Sequence, residues 1–418
     1  MDIFAPCYAF KESELVKATG FYPYFHALSA SEGPVVTVGG KSVIMLGSNN
    51  YLGLTHHPEV LKAAHDALDR YGTGCTGSRF LNGNLDIHEV LETELADFVS
   101  KEAALVFSSG FLANCGTVGL LAAADGAVVF SASENHASLI DGIRMARHAQ
   151  VKVYDGPEDL ARQLEAHPAW PQAMVVTDAV FSMTGRVADL RAIVDLRRQY
   201  GFRLYVDDAH GIGVLGPHRE GTAASQGVND GVDIIFGTFS KSLASVGGFV
   251  AGERPVIEYL RHKVRTFIFS AALPPASVAA ALAALRVIRR DASLTAQLWE
   301  KVTYFREGLE EIGFHTMGST TPIVPLFVGS ESLALRMCCE ALDMGIFTTP
   351  AVHPAVPFGQ ALIRTAVTPV HTYEHLKKGL EVFSVLAKRY PIPRIINGQL
   401  PIADQMDLRY LFGAAARA

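Results

Sequence analysis

The chain has 418 residues, 49% of them hydrophobic and 19% charged, with a formal net charge of −6. That is ample for a large core in one or two domains, and no basic stripe or long run of like charge points to nucleic acid. Five scattered cysteines, Cys7, Cys75, Cys115, Cys338 and Cys339, show no CxxC or Cys/His metal spacing, which predicts a reduced, cytoplasmic protein without a metal site.

Residues 1–17 mix Asp2, Lys11, Glu12 and Glu14 with apolar residues, so they do not read as a signal peptide. Residues 1–33 read as an N-terminal arm, with a short helix and then the cluster Phe21-Tyr22-Pro23-Tyr24-Phe25, suited to core or dimer packing. Residues 35–46 predict a β-hairpin turning at Gly39-Gly40, and residues 48–54 a polar-aromatic loop. His57-Pro58 opens a helix with Val60, Leu61, Ala64 and Leu68 as its apolar residues. The glycine-rich stretch 71–79 lacks P-loop spacing and is a weak phosphate signal. After a helix over about 85–100, a strand over 104–107 runs through Ser108-Ser109-Gly110-Phe111 into another helix, and the free N–H groups of such a helix start favour an anion. The apolar window 103–130 carries Ser108, Ser109, Asn114 and Asp125, so it predicts a buried helix flanked by strands rather than a membrane span.

Strands and helices then alternate. Strands are predicted over 127–130, 151–154, 173–183, 202–207 and 232–236, and Glu134-Asn135-His136-Ala137-Ser138 opens a helix. This rhythm predicts a mostly parallel sheet covered by helices on both faces, with ligands at the carboxyl ends of its strands. His136, Ser182, Asp207, His210 and Lys241 all fall at that edge. A lysine after a buried strand loses solvation, which lowers an amine's pKa toward the neutral form that Schiff-base chemistry needs. An acid and a histidine at the neighbouring strand end complete a set suited to pyridoxal phosphate (PLP), whose ring nitrogen pairs with a carboxylate. Residues 274–311 read as Ala-rich and helical. A smaller α+β unit follows from 322, with strands over 323–327, 346–349 and 361–367 and helices ending near 344 and 387. The predicted divisions are an arm and hairpin over 1–55, a large PLP-binding domain over 56–290, a small domain over 291–395 and a tail over 396–418.

From about residue 20 to 390 the chain resembles the α-oxoamine synthases, a branch of the fold-type I PLP enzymes. The resemblance rests, in order, on Ser48-Asn49-Asn50-Tyr51-Leu52-Gly53, Gly74-Cys75-Thr76-Gly77-Ser78-Arg79, Asn135-His136-Ala137-Ser138, Asp207-Asp208-Ala209-His210-Gly211 and Thr238-Phe239-Ser240-Lys241. It implies an α/β fold-type I transferase with a mostly parallel central sheet and a smaller C-terminal α+β domain. It also implies a decarboxylative condensation of an amino acid with an acyl-CoA. Within the family the likeness is to bacterial serine palmitoyltransferases, through Ser78-Arg79-Phe80-Leu81-Asn82-Gly83, Gly237-Thr238-Phe239-Ser240-Lys241-Ser242 and Gly247-Gly248-Phe249. The implied product is 3-ketosphinganine from L-serine and a long-chain acyl-CoA. The 8-amino-7-oxononanoate synthases and glycine C-acetyltransferases are the alternative branches, and an aminotransferase or a non-catalytic partner subunit the alternatives of another class.

Roles follow from the resemblance. Lys241 holds the cofactor's aldehyde as a Schiff base and serves as acid and base at the substrate Cα. Asp207 pairs with the ring nitrogen, His136 stacks on the ring, and His210 and Ser182 reach its phenolic oxygen. Both histidines stand near the reacting atoms and can assist there. Gly110 and Phe111 offer N–H groups, and Thr238 and Ser240 hydroxyls, to the phosphate. Ser270 reaches the phosphate at a partner subunit, implying a homodimer with shared active sites. Arg364 binds the substrate carboxylate, and Asn50 lies near the amino acid. The family's Asp four residues before the stacking histidine is Ala132 here, which removes one supporting contact. No metal or nucleic acid is implied, and any membrane contact is expected to be peripheral.

Overall fold

The computed structural model describes residues 2–166 and 172–393, so the tail expected over 396–418 lies outside the described residues. The chain forms two compact units. One holds the residues up to Ser48, Met183–Gly185 and the chain from Gln297; the other holds Asn49–Ser182 and Arg186–Ala296.

The first unit begins with two short helices, Ala5–Ala9 and Glu12–Ala18, where one was expected. In the aromatic cluster, Tyr22 and Tyr24 meet edge-on at 5.3 Å and the Arg336 guanidinium covers the Phe21 ring at 4.4 Å. Phe25 instead is 94% exposed. Leu28–Glu32 (β1), Val35–Val38 (β2) and Lys41–Met45 (β3) form an antiparallel ribbon. Gly39 and Gly40, at φ 55° and 79°, make the two-residue turn between β2 and β3, a conformation that matches the strands' twist. Strand β1 is exposed along its whole length, so it carried no alternating apolar signal.

The second unit contains Ala103–Phe107 (β4), Val128–Ala132 (β5), Gln150–Tyr154 (β6), Ala173–Asp178 (β7), Arg203–Asp207 (β8), Ile234–Thr238 (β9) and Gly248–Gly252 (β10). Among the described residues these make one sheet in the order β4-β10-β9-β8-β7-β5-β6. Strands β5 to β9 pair in parallel, and β10 runs antiparallel to both β9 and β4. Strand β10 was not expected: glycines at both ends of Gly-Phe-Val-Ala-Gly weaken its strand signal. Strands β5, β7, β9 and β10 are buried throughout, as a sheet covered on both faces requires. The core includes Leu105, Val118, Val129, Val176, Tyr205, Phe236, Val250 and Leu260.

Two strand expectations need correction. The run expected to 183 ends at Asp178; Val180 makes only an isolated bridge to Val187, and Ser182 lies in the turn beyond. The lysine strand is β9, two residues later than the apolar run suggested, because Gly237 and Thr238 continue the pairing with β10. Helix Pro58–Tyr71 forms as expected but buries Val60 and Ala67, leaving Leu61 and Leu68 43% and 38% exposed.

The Ala-rich region is two helices, Pro275–Arg290 and Ser293–Ile312, parted at Asp291, whose Oδ1 accepts from Ser293 N at 2.9 Å. Back in the first unit, Ile323–Gly329 (β11), Thr349–Ala351 (β13) and Ala361–Ala366 (β14) form an antiparallel sheet, and Ile346–Phe347 (β12) joins β3 in parallel. The strand expected over 346–349 is therefore divided at Thr348, where the chain passes from one sheet to another. Helices Glu331–Asp343 and Tyr373–Arg389 complete the unit. Among the described residues no helix is long and apolar enough to cross a membrane.

Candidate active site

Strand β8 delivers Asp207 to the carboxyl edge of the sheet, where it is 5% exposed. Its Oδ2 accepts from Asn114 Nδ2 at 2.7 Å and its Oδ1 from the Ala209 N–H at 3.0 Å. Burial raises its pKa, and Lys241, the Ala209 N–H, His136 and Asn114 oppose that rise. Asn114 sits one turn into helix Gly110–Leu121. Its Oδ1 accepts from Tyr205 Oη at 2.7 Å, and Nδ2 also donates to Ser138 Oγ at 2.9 Å.

His136 is the N-cap of helix Ala137–Met145. Its Nδ1 accepts from Ser138 N at 3.2 Å and lies 2.7 Å from Ser138 Oγ. Burial lowers its pKa, with Asp207 opposing and Lys241 adding to the effect. Phe111 meets the ring edge-on at 6.3 Å. At the end of β7, Asp178 accepts from His136 N at 3.2 Å. Burial first, then the Asp207 charge, hold the Asp178 carboxyl well above the usual range. Asn135 fastens this turn to the sheet by accepting from Asp178 N at 2.8 Å and donating to Val176 O at 2.9 Å and Ser131 Oγ at 3.0 Å. The turn is thus held without a carboxylate at Ala132.

Lys241 follows β9 in a tight turn closed by Ala244 N to Lys241 O at 3.1 Å and Ser245 N to Phe239 O at 2.8 Å. It is half-buried, and its charge acts on Asp207, His136 and Asp178 alike. Just before it, Thr238 Oγ1 lies 2.9 Å from Ser240 Oγ and donates to Gly247 O at 3.1 Å. Gly110 sits against this hydroxyl, since a Cβ there would stand 3.0 Å from Thr238 Oγ1. Ser109 before it is extended and makes no side-chain cap, so the first N–H groups of the twelve-residue helix face outward without intrahelical partners.

His210, 7% exposed, has Nδ1 2.6 Å from Tyr51 Oη, which also donates to Asn49 Oδ1 at 3.2 Å. In the same loop Asn50 Nδ2 donates to Thr55 Oγ1 at 2.9 Å. Asp208 turns away: it accepts from Thr222 N and Oγ1, both at 2.6 Å, and burial raises it to about 6. Ser182 is half-buried in the turn after β7. Ser270 is half-buried ahead of a segment fixed by Ala272 N to Gly77 O at 2.9 Å, with His88 Nε2 2.9 Å from Leu273 O. That makes the glycine-rich stretch a packed brace, in which a Cβ on Gly77 would collide with Asn82.

Lys241, Asp207, His136, His210, Ser182, Gly110, Phe111, Thr238, Ser240, Ser270 and Asn50 belong to the second unit. Arg364, buried on β14, belongs to the first. Sequence reasoning gave no role to Asn114, Ser138, Tyr205, Tyr51 or Asp178. An asparagine one turn into a helix of otherwise small and apolar residues was the one available signal for Asn114.

Residues 41–383 match the model of the aminotransferase class I and II family. The chain is 45% identical over 389 residues to a serine palmitoyltransferase of Bacteriovorax stolpii, covering 93% of this chain and 92% of that one. It is 43% identical over 383 residues to an 8-amino-7-oxononanoate synthase of Thermoanaerobacter pseudethanolicus, covering 91% and 96%. Its fold is similar to that of an S. paucimobilis serine palmitoyltransferase variant solved with a PLP–myriocin adduct, at a TM-score of 0.88, 32% identity and coverage of 93% and 99%. The chain belongs to the aminotransferase class I and II family, and within it to the α-oxoamine synthases.

Proposed function

We propose that this protein is a PLP-dependent acyltransferase that joins L-serine to a long-chain acyl-CoA, giving 3-ketosphinganine, CoA and CO2. The observation that carries the cofactor reading is the convergence of Asp207, His136 and Lys241 at one sheet edge, beside the open N-terminus of helix Gly110–Leu121, and the 45% identity to a serine palmitoyltransferase supports the substrates.

The donor set fits the cofactor. A lysine amine suits its aldehyde, an N–H-supported carboxylate suits a protonated ring nitrogen, and N–H groups with two hydroxyls suit a phosphate. Gly110 keeps that cradle clear, where a Cβ would crowd Thr238 Oγ1 at 3.0 Å. When bound, PLP supplies an electron sink for the pair left at the substrate Cα. Lys241 Nζ anchors the cofactor, then takes and returns the Cα proton. Asp207 keeps the ring nitrogen protonated, because a nearby carboxylate favours the charged form. His136 covers the ring; His210 and Ser182 hydrogen-bond the phenolic oxygen, and both histidines assist at the reacting atoms. Gly110, Phe111, Thr238 and Ser240 hold the phosphate, Asn50 lies toward the amino acid, and Arg364 binds its carboxylate. Ser270 serves the partner subunit's phosphate, so the working form is a homodimer with shared sites. Five free thiols fit a reduced, cytoplasmic setting.

The identity to an 8-amino-7-oxononanoate synthase keeps a second substrate pair in view. The PLP-loaded protein, incubated with L-serine and palmitoyl-CoA, should release CoA, and Lys241→Ala should abolish both that release and the visible absorption of cofactor bound through the lysine. Release only with L-alanine or glycine and another thioester overturns the serine assignment. Transfer of the amino group to the cofactor without any CoA release makes the protein an aminotransferase instead.

A further inference from the structure

We propose that Asn114 is a positioning residue whose one carboxamide holds Asp207 as an ionised acceptor and, through Ser138, fixes the ring proton of His136 on Nε2. The proposal rests on the PLP reading for its consequence, but not for its geometry.

Asn114 is 1% exposed and uses both of its N–H donors and its carbonyl. A primary amide has two N–H donors and one carbonyl. Here the donors go to Asp207 Oδ2 at 2.7 Å and Ser138 Oγ at 2.9 Å, while the carbonyl accepts from Tyr205 Oη at 2.7 Å. An ionised Asp207 accepts only, so the reversed amide would set two acceptors against each other in a buried site. Tyr205 is 1% exposed, and burial keeps its phenol neutral and able to donate. The orientation of the amide is therefore determined from both sides.

The consequence passes to the histidine. Ser138 Oγ accepts a hydrogen bond from Asn114, so its own hydrogen is directed elsewhere. His136 Nδ1 lies 2.7 Å away, and the Ser138 backbone N–H reaches the same nitrogen at 3.2 Å. The backbone N–H can only donate, so Nδ1 accepts and carries no proton, the neutral ring is protonated on Nε2, and the Ser138 hydroxyl turns its hydrogen to Nδ1. Protonating Nδ1 would set its hydrogen against the backbone N–H of Ser138, whose own hydrogen cannot turn away. The groups acting on His136 from neighbouring elements are Asp207 on β8 and Lys241 after β9, with Asp178 on β7 holding its backbone N–H. His136 thus presents a fixed Nε2–H, and the same amide that sets it also supports the carboxylate assigned to the cofactor's ring nitrogen.

Ring-15N-histidine NMR of the cofactor-free protein tests the geometry, with His136 identified by comparison with His136→Asn. The native protein should show an unprotonated Nδ1 and a protonated Nε2. Asn114→Asp offers Ser138 a carboxylate, draws the hydroxyl away from Nδ1, and should mix the tautomers and raise the pH at which His136 protonates. Ser138→Ala should shift the tautomer balance toward protonation on Nδ1. Asn114→Ala should also weaken PLP binding about tenfold or more, having lost a charge-assisted bond to Asp207. Circular dichroism and thermal melts establish that each variant is folded. A native His136 protonated on Nδ1 overturns the proposal. So does an unchanged tautomer and titration in folded Asn114→Asp, or in Ser138→Ala should the Asn114 variants not fold. Failure of the native protein to bind PLP would overturn the cofactor reading and leave the tautomer result standing.

Discussion

Arg79 grips Glu92 through two parallel hydrogen bonds of 2.9 and 3.1 Å, with side chains only 4% and 6% exposed. Glu92 also accepts from Arg261 at 3.0 Å and from the Val106 N–H of β4 at 2.9 Å. One buried carboxylate thereby ties helix Asp86–Phe98, the glycine-rich brace and the central sheet together.

Removing one partner of such a pair leaves the other charge buried, which typically costs about 3–5 kcal/mol. Arg79→Met should lower stability by roughly 3 kcal/mol, because Arg261 keeps part of the compensation. Adding Glu92→Leu should cost less than the two single losses combined. Urea unfolding of the two single variants and the double variant measures this coupling, and strictly additive losses would refute it.

Gly248 packs where no side chain fits. A Cβ there would stand 2.8 Å from Gly110 Cα and 2.9 Å from Gly237 O, both backbone atoms that cannot swing aside. Gly248→Ala should push β10 away from the helix start that the phosphate reading uses. We expect PLP retention to weaken about tenfold and stability to fall by about 1–3 kcal/mol, the usual cost of overpacking. Gly74, in the motif region, has no atom within 4 Å of a built Cβ and no positive φ. Gly74→Ala should change stability by no more than about 0.5 kcal/mol. PLP titration and thermal melts of both variants decide the point; equal behaviour would contradict it.

The parallel strands were legible because burial on both faces demands unbroken apolar runs, as at Val128–Ala132 and Ala173–Asp178. Strand β10 was not, since its glycines answer to packing against Gly110 and Gly237 rather than to strand propensity. The ends of strands were less legible than their existence: hydrophobic Ala179, Val180 and Phe181 are buried outside the sheet and read like a continuation of it. The acids, histidines and lysine proposed for the site stand at strand ends in the sequence, although Asp178, at the end of β7, drew no role. Asn114, Ser138 and Tyr205 drew none either, because their use depends on three elements meeting and no local pattern encodes that. The division of the chain was also hidden: residues up to Ser48 join the chain from Gln297, a pairing made by β3 with β12 across some 300 positions.

Tyr51 makes a short contact to His210, 2.6 Å between Oη and Nδ1, inside the motif that begins at Ser48. It fixes the ring proposed to reach the cofactor's phenolic oxygen. Tyr51→Phe removes the contacts of its hydroxyl to His210 and to Asn49; the one to His210, about 1 kcal/mol, bears on the ring, so kcat should drop about fivefold while PLP stays bound. The visible spectrum should shift as well, since the phenolic oxygen loses a well-oriented neighbour. Steady-state kinetics with a parallel absorption scan test this. A variant with unchanged kcat and spectrum would show that Tyr51 serves packing alone.

Two buried histidines set an acid limit on stability. Burial lowers His88 to about 4, and does the same to His371 in the other unit. Each ring accepts a backbone N–H at Nδ1, from Leu85 at 3.1 Å and Thr368 at 3.0 Å respectively. Each places Nε2 near a carbonyl, Leu273 O at 2.9 Å and Met45 O at 3.1 Å. Both rings are therefore held neutral in the folded state, whereas an unfolded histidine takes up its proton near pH 6.5. Between about pH 6.5 and 4 the unfolded chain binds more protons, so stability rises with pH across that window. The full contribution is present above about pH 6.5 and is lost as acid carries the protein down toward pH 4. A depression of that size corresponds to about 3 kcal/mol for each ring. His88→Gln should be less stable at neutral pH yet lose less on acidification, and His371→Gln should behave likewise. Denaturant unfolding from pH 4.5 to 7.5 separates the two contributions, and variant curves parallel to the native one would show that other groups govern the acid limit.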